Sequence, residues 1–177
     1  MYSTKRSRSE HESSPLHSKR DSESSDAKNA EYEKVAREYF ESAYCLSNNS
    51  GSSANLLAIS SLMQSGKLQR GDQVIVPALS WSTTVFPLIQ YGLVPVFIDQ
   101  NEEDYNIDIN QISSCAKDIR DIKAIVLIHT YGIPADIESI LNIAEDNNWI
   151  VVEDTCESMG AQYKGKRVGS FGEIGTF

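Results

Sequence analysis

Four short aliphatic runs, Val74-Ile75-Val76, Val94–Ile98, Ala124–Ile128 and Trp149–Val152, are separated by segments that carry helical start and stop signals. This alternation limits the possible folds more than any other feature of the chain. A continuous apolar strand is buried on both faces, and parallel strands need a crossover connection, usually a helix. The expectation is an α/β domain with a mostly parallel sheet flanked by helices on both sides. Pro95 belongs near a strand start or on an edge, because it cannot donate to a ladder. Gly92 stops a helix over Thr83–Tyr91, Asp108 caps one running to about Cys115, and Asp136 caps one running to Asp146. The last aliphatic run should continue as a strand to Glu153.

Two helices are expected upstream. Tyr32, Val35, Ala36, Tyr39 and Phe40 fall on one face of the first. The second carries Leu56, Leu57, Ile59, Ser60 and Met63 and ends near Gly66. Residues 1–29 are a different polymer, rich in serine and mixed charge, with Leu16 the only aliphatic residue of any size. Such a segment cannot bury enough apolar surface to offset its ordering entropy, so a disordered tail is expected, with residues 30–177 forming the folded part. Lys5-Arg6-Ser7-Arg8 reads there as a solvated charge run in preference to a docking patch.

The formal net charge of −9 argues against a general nucleic-acid binder. Three widely spaced cysteines, Cys45, Cys115 and Cys156, form no CxxC pair and fit a reducing compartment. No apolar run approaches the roughly 18 residues that span a bilayer. The N-terminus lacks the hydrophobic segment of a secretory signal. A soluble cytoplasmic protein is expected, without membrane or nucleic-acid partners.

Chemistry concentrates at strand ends. Trp149–Val152 runs directly into Glu153-Asp154, and an acid at the carboxyl end of a buried strand lies where open α/β sheets bind ligands. Such a carboxylate requires a partner: a backbone cap, a metal or a cationic group on a cofactor. No second acid or histidine lies at ligand spacing from Asp154, which weakens the metal option. Ser50-Gly51-Ser52-Ser53-Ala54-Asn55 precedes a helix, where free N–H groups favour an anion, although an ordinary serine cap is the simpler reading. It is neither a Walker A nor a GxGxxG loop. Trp81 lies just past a strand end and either packs on the core or offers a flat face to a planar ligand. His129 reads as a hydrogen-bonded structural residue.

Several ordered blocks together resemble the DegT/DnrJ/EryC1/StrS family of pyridoxal phosphate (PLP)-dependent sugar aminotransferases. They are Ser50–Leu57, Gly71–Thr84, Gly92–Asp99, His129–Ile137, Val152–Gly160 and Tyr163–Phe177. The resemblance implies the N-terminal part of a fold-type-I PLP-transferase large domain. It implies that the backbone and hydroxyls of Ser52, Ser53 and Ala54 hold the cofactor phosphate, that Trp81 stacks on the pyridine ring and that Asp154 pairs with the ring nitrogen. Many members carry Gln or His three residues after that aspartate, near the phenolic oxygen; here the position is Glu157. Ser50–Asn55 and Asp154–Gly160 resemble a subgroup related to sugar 3-dehydratases, which often replace the Schiff-base lysine with histidine and use pyridoxamine phosphate (PMP).

That lysine-or-histidine position would fall shortly beyond Phe177, so no catalytic residue of that kind is expected in this chain. Lys164 and Lys166 fall in a turn and are poor substitutes. The resemblance implies a homodimer that acts on a nucleotide-linked keto-sugar with an amino donor, of which this chain is a truncated portion. A catalytically inactive binding or interaction module is the alternative.

Overall fold

The computed structural model describes residues 25–119 and 121–177; most of the expected disordered tail, residues 1–24, lies outside them. At the centre is a five-stranded, wholly parallel sheet in the order β2-β1-β3-β4-β7. The strands are β1 (Gln73–Pro77), β2 (Val94–Ile98), β3 (Ile122–Ile128), β4 (Ile150–Asp154) and β7 (Ile174–Thr176). Between β4 and β7 a two-residue antiparallel pair, β5 (Gln162–Tyr163) and β6 (Lys166–Arg167), forms the turn around Lys164. Pro95 does lie on an edge strand, β2, and β7 forms the opposite edge.

Period-two alternation divides the core into two layers. Val74 and Val76 of β1, Ala124 and Val126 of β3, and Val152 of β4 pack with α2 (Gly51–Gln64) and α3 (Ser82–Gln90). Ile75, Ile125, Leu127 and Val151 point the other way, onto α4 (Ile109–Asp118) and α5 (Ile137–Asn147). The helices begin and end on the expected signals. Asp108 and Asp136 accept first-turn N–H groups, and Gly92 follows α3 with φ +73°.

Two helical faces differ from expectation. α1 (Ser25–Phe40) begins upstream of Ala30, with Asp26 in its first turn complementing the helix dipole. Only Ala36 and Phe40 of its apolar stripe are buried; Tyr32, Val35 and Tyr39 are exposed. The reason is that α1 docks by its last turn. Phe40 stacks on Phe177 with ring centroids 3.9 Å apart, and Arg167 lies 3.9 Å over the Tyr39 ring. On α2 the buried stripe is Asn55, Ala58, Ile59 and Leu62, while Leu56 and Leu57 face outward. The sequence of α2 is apolar on several faces; of Leu56, Leu57, Ile59, Ser60 and Met63 only Ile59 is fully buried, and Asn55, Ala58 and Leu62 complete the inner stripe.

Candidate functional site

All five strands point their carboxyl ends the same way, and order reverses between β1, which is followed by β2 on one side, and β3 on the other. Ligands in open α/β sheets bind at such a switch point. A cleft of about 640 Å³ opens there. It is lined by Gly51, Ser52 and Asn55 of α2, by Leu79, Ser80, Trp81, Thr83 and Thr84 after β1, by Ile128, Thr130 and Tyr131 at the end of β3, and by Asp154, Cys156 and Glu157 at the end of β4. Phe177, just past β7, closes one side.

The adjacent carboxylates of β4 are separated by the strand pleat. Glu153 shares its face with Val151 and turns toward α4 and α5, whereas Asp154 shares the face of Val152 and turns toward α2 and α3. Asp154 is buried, and its Oδ2 accepts two hydrogen bonds of 2.7 Å, from Asn55 Nδ2 and Thr84 Oγ1. Asn55 is held in turn by Thr176 Oγ1, which donates to its Oδ1 at 2.6 Å. Oδ1 of Asp154 accepts a long bond of 3.3 Å from the Cys156 amide. The carboxylate is thus clamped on one oxygen and retains accepting capacity on the other.

Glu153 is a different kind of group. It is wholly buried; Oε1 accepts the amides of Phe171 and Gly172, and Oε2 accepts the amide of Gly169, all at 2.7 Å. Oε2 also lies 3.2 Å from His129 Nε2. His129 Nδ1 accepts the Ala135 amide, so the proton sits on Nε2 and is donated to Glu153. Burial pushes the Glu153 carboxyl up, but the hydrogen bonds from His129, Gly172 and Gly169 outweigh it and hold the group below the ordinary glutamate value. Glu153 and His129 therefore secure the segment leading into β7, the structural role expected of His129.

At the other end of the cleft, Ser50 caps α2 and its Oγ accepts the Ser53 amide at 3.2 Å. The Ala54 amide is taken by the Ser50 carbonyl at 3.0 Å. The amides of Gly51 and Ser52, at the first two helical positions, have no acceptor within the helix. Of the serine-turn residues expected to hold a phosphate, Ser52 lines the cleft with Gly51; Ser53 and Ala54 stand just behind, with their amides engaged. A Cβ at Gly51 would come within 2.5 Å of Cys156 Sγ, so a larger residue there requires the sulfur to shift. The Cys156 thiol is pushed up to about 12, chiefly by burial and then by its hydrogen bond to and the charge of Asp154.

Trp81 precedes α3 with extended backbone and is 71% exposed, so it is not a core residue; its indole is part of the cleft wall. Glu157 lines the cleft and accepts the Tyr131 amide at 3.5 Å. Lys164 and Lys166 lie away from this site. Lys164 Nζ donates to Glu138 at 2.6 Å and Lys166 Nζ sits 4.6 Å over the Phe171 ring, beside a separate 260 Å³ groove. Sequence reasoning missed Asn55, Thr84 and Thr176. Asn55 was detectable as a polar residue on the true buried stripe of α2, whereas Thr84 and Thr176 carry no local signal.

Residues 16–177 match the model of the DegT/DnrJ/EryC1/StrS aminotransferase family, and the chain belongs to that family. Among its relatives, the GDP-4-keto-6-deoxy-D-mannose 3-dehydratase of Yersinia pseudotuberculosis is 46% identical over 149 residues, covering 83% of this chain and 37% of that protein. A crystal structure of a GDP-4-keto-6-deoxymannose-3-dehydratase with a trapped PLP–glutamate geminal diamine superposes with a TM-score of 0.77 at 41% identity, covering 81% of this chain and 37% of the other. A mutant of such a dehydratase with bound GDP-perosamine gives 0.76 at 40% identity, covering 82% and 38%. The chain thus spans little more than a third of the length of these relatives.

Proposed function

We propose that this chain is the cofactor-binding portion of a PLP- or PMP-dependent enzyme acting on a nucleotide-linked keto-deoxy-sugar, as an aminotransferase with an amino donor or as a 3-dehydratase. The observation that carries this reading is the buried Asp154 carboxylate, clamped on one oxygen by Asn55 and Thr84 and with spare accepting capacity on the other, in a cleft shared with an exposed indole and a helix N-terminus. These features match the three parts of the cofactor: a basic ring nitrogen, a flat ring and a phosphate. When bound, the pyridine ring supplies an electron sink for bond breaking at the substrate carbon.

Each protein group then has a defined task. Asp154 holds a proton at the ring nitrogen, and Asn55 and Thr84 fix the orientation of its carboxylate. Trp81 would cover one ring face and keep water from it. Gly51 and Ser52 offer their free amides, and Ser52 and Ser53 their hydroxyls, to the phosphate, with Ala54 supporting the same turn. Glu157, which lines the cleft, would lie near the cofactor's phenolic oxygen. In the whole protein a homodimer is proposed; Leu56 and Leu57 on α2 are exposed and fit a subunit contact. The three free cysteines fit the reducing environment of the cytoplasm, the proposed location.

Adding PLP to the purified chain tests the reading. Bound cofactor is expected to give near-ultraviolet and visible absorption bands that survive desalting. Asp154→Asn, which removes a charge-assisted hydrogen bond, is expected to weaken uptake about ten- to a hundredfold, and Trp81→Ala about two- to tenfold. Uptake unchanged in both variants, or absent from the wild-type chain, would leave only the second reading, a catalytically inactive interaction module. Borohydride trapping separates covalent from non-covalent binding. Among the described residues the cleft lining contains no lysine or histidine, so binding by this chain is expected to be non-covalent.

A further inference from the structure

Tyr131, which lines the cleft, and its neighbour Tyr105 occupy backbone conformations that L-residues with bulky side chains rarely adopt. Tyr131 has φ +53° and ψ +24°, and Tyr105 has φ +61°. Left-handed backbone at a large residue persists only where the surroundings impose it. Here they do. Asn106 is buried, its Oδ1 accepting the Thr130 amide at 3.0 Å and its Nδ2 donating to the Ile133 carbonyl. Thr130 Oγ1 donates to the Tyr105 carbonyl at 3.1 Å. The segment after β2 and the segment after β3 are tied together in this way, with the strained tyrosines side by side, ring centroids 6.4 Å apart and edge to face at 78°.

This construction gains no core packing for Tyr131, which is 73% exposed and lines the cleft. Asn or Gly would occupy the same backbone with less strain. We propose that Tyr131, braced by Tyr105, is a substrate-binding platform on which the hexose ring of a nucleotide-linked sugar stacks. The proposal rests on the cofactor reading given above. The sugar is the part of the substrate assigned to this ring because the Tyr131 amide donates to Glu157, three residues beyond Asp154. Tyr131 also lines the same cleft as Trp81, Asp154 and Glu157, the proposed cofactor region, where the reacting sugar must lie. The apolar C–H face of a hexose and the face of an aromatic ring are complementary surfaces.

The test uses the full 177-residue chain with PLP present, titrated calorimetrically with GDP-mannose and, separately, with GDP. Tyr131→Phe is expected to bind GDP-mannose like the wild type, and Tyr131→Ala about three- to tenfold more weakly, with GDP affinity unchanged in both. Tyr131→Asn is the decisive variant. It should match or exceed the wild-type melting temperature, because Asn tolerates this backbone, and yet lose GDP-mannose affinity as Tyr131→Ala does. Equal GDP-mannose affinity in all variants would overturn the proposal. So would an equal loss for GDP and GDP-mannose, which would move the stacked group to the nucleobase, or no GDP-mannose binding by a wild-type chain that takes up PLP. Absence of PLP uptake, read from absorption alone, is instead a failure of the cofactor reading.

Discussion

Glu153 and Asp154 differ by one methylene and one position, yet the pleat of β4 gives them unrelated tasks. Asp154 reaches α2 and α3 and enters the cleft, whereas Glu153 gathers three backbone amides and the His129 imidazole on the other face. Replacing Glu153 by Gln would set amide donors against N–H groups that already need an acceptor. The expected cost is about 2–4 kcal/mol at neutral pH, read from urea denaturation. The pH dependence has a definite sign. Folding lowers the Glu153 pKa, so its ionised form adds stability above the ordinary carboxylate value of about 4.3, and that contribution is lost as pH falls through the lower folded value. Wild-type stability should therefore fall on acidification below that value, and Glu153→Gln should show a shallower fall from a lower starting point.

At the scale of elements, the site depends on how closely α2 approaches the end of β4. Ser50 caps the helix, Gly51 leaves room for the Cys156 sulfur, and Asn55, one turn on, grips Asp154. Gly51→Ala should lower stability by about 1–3 kcal/mol, as expected for forcing a side chain into filled space. Removing the obstructing sulfur with Cys156→Ala should recover most of that loss. The double-mutant cycle would then show a coupling of at least about 0.5 kcal/mol, where independent sites would show none. Small and aliphatic residues surround α2, so its sequence does not single out an inner face. Only contact with β1, β3 and β4 selects Asn55, Ala58, Ile59 and Leu62 as the inner face.

Among the described residues, the sheet ends laterally in β2 and β7, and several large apolar side chains remain exposed, including Leu57 on α2 and Trp81 in the cleft. Among the described residues no helix is long and apolar enough to cross a membrane. Surface of this kind favours self-association. Sedimentation velocity is expected to show concentration-dependent dimers, and Leu57→Glu, an exposed substitution, should weaken them at least tenfold while changing stability by no more than about 0.5 kcal/mol. Dimers unaffected by Leu57→Glu would place the contact elsewhere.

Local chemistry was sufficient for the alternating elements, the parallel sheet, the cap residues and the position of the acids at a strand end, because these depend on side-chain period and on single-residue backbone preferences. Trp81 and the serine turn were legible as motifs. The convergence of Asn55, Thr84 and Thr176 on the Asp154 cluster was not, since these partners stand 70 to 121 positions apart in their hydrogen-bonded pairs. Nor was the division of labour between Glu153 and Asp154, which required knowing which helices cover which face of the sheet. Period-two alternation dictates that neighbouring acids part company, but only the packed layers decide which of them meets the cleft.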